Sequence, residues 1–256
     1  MRPDPDKPYY TAYDKRYKSV YAQDVGYWTA HPRELSAIEY TVNAFLKECH
    51  LQVGQPLHIV EFGCGEGYVG ELLVQRGYRY TGIDIAESAA KKATERLAPF
   101  GDRARVLVAD ILDLPMIPDT TFDAGIDVGC LHMLVVDADR RAYLREAYRV
   151  LKAGTPILYC NEAFRPDATA AAVESYEAWL QISETDVDTS QARNAWQDGR
   201  PVEVHLPCIA ARARTVAQYR SEIEAVDFEF LKWQISADRL WMSFYVRKPE
   251  KPRPSS

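Results

Sequence analysis

His58-Ile59-Val60-Glu61-Phe62-Gly63-Cys64-Gly65-Glu66-Gly67-Tyr68 runs from an apolar segment, through an acid, into a turn carrying three glycines. A short apolar run bounded by polar and glycine signals reads as a buried parallel strand. The residues beyond the turn, Val69-Gly70-Glu71-Leu72-Leu73, have helical spacing. Glycines at such a junction permit φ above zero and let a ligand approach the backbone without meeting a Cβ. The first N–H groups of the helix have no partner within it, so the turn suits a polar ligand. The stretch predicts a nucleotide-type cradle.

Its spacing narrows the choice of nucleotide. Dinucleotide enzymes carry G-x-G-x-x-G, with the glycines serving a pyrophosphate. Here the third glycine stands at Gly67 and Tyr68 occupies the position expected for it. The acid Glu61 would repel a pyrophosphate but tolerates a cationic ligand. Together these residues resemble motif I of the class I S-adenosylmethionine-dependent methyltransferases, E/D-x-G-x-G-x-G. The resemblance implies that Glu61, Gly63, Cys64 and Gly65 hold the amino-acid end of S-adenosylmethionine, with S-adenosylhomocysteine as product.

The chain continues in the same alternation. Tyr78-Arg79-Tyr80-Thr81-Gly82-Ile83-Asp84-Ile85 reads as a second strand. Its acid lies ~20 residues past the glycines, where a ribose hydroxyl pair is usually held; an acid capping the next helix is the alternative. Glu87 to Leu97 reads as a helix. Ala104 to Pro115 contains a third strand ending in Ala109-Asp110-Ile111. This resembles the family's A-D motif, which implies that Asp110 takes the adenine amine and Ile111 packs the ring; Asp113 is a weaker candidate. Phe122-Asp123-Ala124-Gly125-Ile126-Asp127-Val128-Gly129-Cys130-Leu131-His132 is the fourth strand and its exit. It resembles the F-D…D…L-H of small-molecule methyltransferases, which puts this loop beside the transferring methyl group. Val150-Leu151-Lys152-Ala153-Gly154 resembles V-L-K-P-G-G ahead of a fifth strand, Pro156 to Asn161, with Ala153 and Thr155 as departures.

Strands alternating with helices mean βαβ units and a parallel sheet. Such a sheet binds ligands at the carboxyl ends of its strands, where the strand order reverses. Glu61, Asp84, Asp110 and Asp127 all stand at strand ends, so all four are expected in one groove. The fold class expected is α/β: a Rossmann-like, doubly wound, seven-stranded, mostly parallel sheet. A C-terminal antiparallel hairpin, Phe228 to Trp233 with Leu240 to Val246, closes it. The chain reads as a single domain: an N-terminal helical cap over 1–52, a cofactor-binding core over 57–161 and a substrate-covering insertion over 162–213. A closing helix and hairpin over 214–247 and a disordered tail over 248–256 complete it. Within the insertion, Ala168 to Ile182 has helical character, Ser183 to Arg200 is polar and Val202 to Leu206 alternates like an extra strand.

Composition bounds the class. The 256 residues are 47% apolar, ample for a core, with a net charge of −6 and no long basic block, which disfavours a nucleic-acid partner. No apolar run is long enough to span a bilayer, and Met1 to Asp6 lacks the apolar core of a signal peptide. Five scattered cysteines without a C-x-x-C fit reduced thiols in a cytoplasmic protein rather than disulfides or a metal site.

The chemistry expected is methyl transfer to nitrogen or oxygen of a small metabolite, of the kind met in secondary metabolism. The tyrosines and tryptophans of the covering segments point to an aromatic or heteroaromatic acceptor. His132, which titrates near neutrality when unperturbed, is the candidate base, and Glu162 pairs with a cationic amine or assists. Tyr13, Tyr17 and Tyr21 recur every four residues and share one helical face. They either pack on the domain or, with Trp28, form a lid whose rings face a sulfonium. Cys130 is expected as pocket wall and His205 as a substrate contact. Three alternatives stay open: a thiol- or thiopurine-type S-methyltransferase, a non-catalytic cofactor-binding module, and a nicotinamide-dependent oxidoreductase.

Overall fold

The computed structural model describes residues 8–23, 25, 32–51, 57–197 and 200–250. Two helices lead, α1 (Pro8–Ala22) and α2 (Pro32–Glu48). The alternating core follows: β1 (His58–Phe62), α3 (Tyr68–Gln75), β2 (Arg79–Asp84), α4 (Glu87–Leu97) and β3 (Ala104–Val108). It continues through β4 (Ala124–Val128), α5 (Asp137–Val150) and β5 (Pro156–Ala163). The C-terminal half holds α6 (Tyr176–Ser183), β6 (Ser190–Gln197), β7 (Arg200–Pro207), α7 (Val216–Glu224), β8 (Glu229–Ile235) and β9 (Trp241–Arg247).

Seven strands form one sheet in the order β3-β2-β1-β4-β5-β9-β8. Pairing is parallel from β3 through β5, and β9 adds antiparallel to β5 and β8. The order therefore reverses between β1 and β4, and a crevice opens there above the strand ends. The Rossmann-like sheet and closing hairpin are those the alternation predicts.

Both faces are covered, which is why the parallel strands are nearly continuous in apolar residues. On one face Ile59, Ile126 and Leu158 pack under Val42 and Phe45 of α2 and Leu73 of α3. On the other, Phe62, Tyr159 and Phe244 pack under Tyr143 of α5 and Tyr219 of α7. Thr215 caps α7 with a capping box to Gln218. No described helix is long and apolar enough to cross a membrane.

The insertion departs from its sequence reading. Ala168 to Ile182 is helical only from Tyr176, where Ser175 accepts a hydrogen bond from Ala178 N. The alanines before it form no helix, and Val173 there exchanges hydrogen bonds with Asp137, through backbone N–H and carbonyl and through Asp137 Oδ2. That tertiary pairing overrides alanine's helix preference. The polar stretch after Ser183 holds β6, which pairs antiparallel with β7 as a separate ribbon. Its apolar support comes from Val20 and Val25 beside α1, packed on Ala195, Val204 and Leu206. Of the expected tail, Lys248 is tied down by hydrogen bonds to the carbonyls of Tyr148 and Leu151, and residues 251–256 lie outside the described residues.

Candidate functional site

The site begins with the backbone of the β1–α3 turn. Gly63, Gly65 and Gly67 have φ of 69°, 51° and 76°. Two of them also sit too close to neighbours for any side chain. A Cβ on Gly63 would lie 2.6 Å from Cys130 Sγ, and one on Gly65 would lie 2.8 Å from Tyr17 Oη. The turn is pinned from below by Gly63 N and Cys64 N, both donating to the carbonyl of Ile83.

Three acids edge this cradle. Glu61, at the end of β1, is buried and accepts a 2.5 Å hydrogen bond from Tyr80 Oη. Burial pushes its carboxyl up to about 8, outweighing the hydrogen bond from Tyr80. Asp84 accepts from Gly65 N at Oδ2 and Ala86 N at Oδ1, both at 2.8 Å. Its carboxyl rises to about 6, burial outweighing those two donors. Asp84 thus also anchors Ala86 at the start of α4, although no side chain caps that helix in the way the capping alternative expects. Asp110 accepts from Leu112 N. These three line a cleft of about 510 Å³ together with Ile85, Ile111, Tyr13 and Tyr17. That volume is in the range of a small-molecule site.

Asp127 does not join them. Along a strand, successive side chains alternate between faces. Asp127 sits beside Phe62 in the register, while Glu61 sits beside Ile126. Asp127 therefore faces α5, completely buried, accepting from Tyr143 Oη and Cys130 N at 2.7 Å each. The expectation of four converging acids is corrected to three, with Asp127 supporting the floor from beneath.

The far end of the cleft is built by the β4–α5 turn and the β8–β9 hairpin. His132 lines it, and its Nδ1 lies 3.1 Å from Glu162 Oε2, which also accepts from His132 N at 2.7 Å. One carboxylate oxygen facing both a backbone N–H and Nδ1 makes Nδ1–H the consistent tautomer. Nε2 is then the ring nitrogen with a free lone pair. Burial lowers the imidazole to about 4, so the ring is neutral at physiological pH. Trp241 stands edge-on to the ring, centroids 5.8 Å apart. Glu162 itself is buried below His132 and is not part of the lining, so it does not meet an amine substrate directly.

Arg140 of α5 locks this turn. It donates to the carbonyls of Leu131 and Leu134 and forms a two-nitrogen contact with Glu222 Oε2. Arg140→Ala would strand the two buried carbonyls and leave the partly exposed Glu222 with Arg214 alone. Removing one partner of a buried ion pair costs ~3–5 kcal/mol, and chemical denaturation of the variant is expected to show a loss of that order.

The other sequence candidates divide. Cys64 and Cys130 form wall; burial and nearby carboxyls push the Cys130 thiol well up, so it is no thiolate. Tyr17 lines the cleft, whereas Tyr21 lies under Lys92 Nζ at 3.6 Å from its ring centroid and is not among the lining residues. His205 is exposed on β7, turned outward by the alternation that buries Val204 and Leu206. Trp28 lies outside the described residues. Sequence reasoning missed Tyr80, Asn161, Ser236, Asp238 and Trp241. Tyr80 had a signal: Gly70 and Gly82 leave space for its side chain, a Cβ on the first falling 2.5 Å from the ring and one on the second 2.5 Å from Oη.

Residues 59–154 match the sequence family described as "Methyltransferase domain". A malonyl-[acyl-carrier protein] O-methyltransferase of Serratia marcescens is 30% identical over 165 residues, 64% of this chain and 56% of that protein. The chain spans about half the length of the curated relatives it matches. Among solved structures, a Burkholderia thailandensis 1,6-didemethyltoxoflavin-N1-methyltransferase with bound S-adenosylhomocysteine superposes with a TM-score of 0.62. It is 16% identical and covers 94% of this chain and 89% of that one. The [4+2]-cyclase SpnF superposes with a TM-score of 0.60 at 17% identity, covering 84% and 82%.

Proposed function

For a chain whose 59–154 core belongs to the class I S-adenosylmethionine-dependent methyltransferases, we propose methyl transfer to a nitrogen or oxygen of a small, uncharged or cationic aromatic metabolite. The observation that carries this is the cleft itself, with three acids at the cradle end and a histidine at the other. Bound there, S-adenosylmethionine would supply a methyl group already activated as a sulfonium.

The residues present fit that cofactor. The side-chain-free approach at Gly63 and Gly65 admits its backbone-like end, and Glu61 offers a counter-charge for an ammonium. Asp84 retains lone pairs for a ribose, and Asp110 with Ile85 and Ile111 offers an acceptor and apolar walls for a base. Gly63→Ala tests the fit. Left-handed backbone costs a residue with a Cβ ~1–2 kcal/mol, and the methyl also meets Cys130 Sγ. The variant is expected to unfold at lower temperature and to lose most S-adenosylhomocysteine binding in calorimetry.

The acceptor class follows from the lining. No lysine or arginine is among the described residues that line the cleft, whereas Glu61, Glu66, Asp84, Asp110 and Asp238 are. An anionic acceptor would enter without a counter-cation, a heavy cost in a partly dry site. Tyr13, Met133, Leu134 and Trp241 give the acceptor end apolar and aromatic faces. His132 Nε2 takes the acceptor's proton as its nucleophile is aligned. Alignment alone contributes ~7–11 kcal/mol to barrier reduction in well-oriented systems. Sulfur acceptors are the neighbouring alternative. Mass spectrometry of candidate metabolites after incubation with S-adenosylmethionine checks the reading. A gain of one CH₂ on neutral or cationic aromatics supports it; methylation confined to carboxylate or phosphate acceptors counts against it.

A further inference from the structure

We propose that Asp127 and Glu162 form a buried acid pair that shares one proton and thereby holds the His132 ring in its Nδ1–H form. The proposal rests on the reading of His132 as the base and adds two positioning residues beneath it.

The backbone brings the two acids together. β5 carries one extra residue between Tyr159 and Glu162 relative to β9. That bulge, with Asn161 at φ 57°, shifts the alternation so that Glu162 shares the α5-facing side with Tyr159. Asp127 faces the same side from β4, and one turn holds both carboxyls, Asp127 through Cys130 N and Glu162 through His132 N, so that each acts on the other's charge. Two buried carboxylates on one turn repel, which favours the state in which one of them carries a proton.

The remaining polar atoms assign where the charge sits. Glu162 Oε2 receives His132 N–H and faces Nδ1, so it is the anionic oxygen. Glu162 Oε1 is buried without a hydrogen-bond partner at close range; the Leu131 backbone N–H and the Asp127 carboxyl are turned toward Glu162, and a proton held by Asp127 would serve that oxygen. Asp127 is held in turn by Cys130 N and Tyr143 Oη. Arg140 is the cation nearest the pair, but its nitrogens serve Glu222 and two carbonyls. The hydroxyls of Tyr143, Tyr159 and Tyr219 and the Cys130 and Cys160 thiols also face the pair and are neutral, and the buried Glu61 carboxyl adds like charge rather than a counter-ion. Among the described residues the pair thus has no private counter-ion that would support a second negative charge.

Burial raises both carboxyls, Glu162 to about 7 and Asp127 well above its ordinary range. Strongly interacting sites titrate as a pair in two steps rather than as two independent residues. Between those steps the pair carries one proton and one charge. Adding the second proton discharges Glu162 Oε2 and loosens the tautomer; removing the last puts two charges under the turn.

Carboxyl-carbon and imidazole-nitrogen NMR titration of the full, ligand-free chain tests this. The expected result is two coupled steps separated by more than about one pH unit, with His132 in the Nδ1–H form between them. Asp127→Asn keeps a donor toward Glu162 but removes the second charge, so the upper step should vanish while the tautomer persists. Tyr143→Phe, a milder change, removes only a donor to Asp127 and should move the upper step to higher pH. Independent titration of both acids in the ordinary carboxyl range, or a Glu162 curve unchanged in Asp127→Asn, would overturn the proposal. The titration requires neither cofactor nor acceptor. An intact coupled titration in a protein without methyl transfer would therefore defeat the proposed activity and leave the pair standing.

Discussion

Glu61→Gln should make the ligand-free protein more stable at pH 8 while weakening its hold on S-adenosylhomocysteine. Glu61 is buried, and its carboxyl rises from 4.5 to about 8 on folding. The sign follows from proton linkage. Between those values the folded chain holds a proton that the unfolded chain has released. Stability therefore falls as pH rises through that window and levels off above about 8. Glutamine keeps an acceptor for Tyr80 Oη but carries no charge, so this slope disappears. Thermal unfolding of wild type and variant should coincide near pH 4.5 and diverge toward pH 8, with the variant higher. Binding moves the other way. A hydrogen bond to a charged group is worth ~1.5–3 kcal/mol, so affinity should fall about 10- to 100-fold. Equal melting curves across the window would remove Glu61 from the role of a charge held for a cationic ligand.

His132→Gln should lower kcat about 100- to 10,000-fold, the range for a positioned general base, with S-adenosylhomocysteine affinity nearly unchanged. The separation matters because His132 stands at the acceptor end, with Trp241 across its ring. Its low basicity in the free protein adds a second expectation. The imidazole is held near 4, so it is already neutral at pH 5. The acid limb of the kcat/KM profile should therefore not fall at the ordinary histidine value, and should instead follow the Asp127–Glu162 pair near neutrality. A variant with full turnover would reduce His132 to pocket wall.

Much of this fold was legible because periodicity and turn chemistry agreed. Strand-length apolar runs, glycine turns and spaced acids leave few arrangements besides a parallel sheet with its crevice at the strand ends. The positive φ at Gly63, Gly65 and Gly67 follows directly from the motif. Asp127 was misplaced because position at a strand end says nothing about face; a one-residue offset from Glu61's partner sends it to α5. Glu162 was found but given the wrong neighbour, since a bulge inverts the alternation and no local residue type announces it. The β6–β7 ribbon escaped for another reason: its apolar support comes from α1, far away in sequence. Trp241 and Asp238 reach the cleft only because β9 joins β5, a long-range pairing that leaves no local trace.

The most direct measurement is calorimetric titration of the full chain with S-adenosylhomocysteine, run alongside NADH. Saturable, one-to-one binding of the nucleoside in the micromolar range, lost in Gly63→Ala and weakened in Glu61→Gln, is the result expected from the three-acid cleft. Silence toward S-adenosylhomocysteine at millimolar concentration, or tighter binding of NADH, would contradict it.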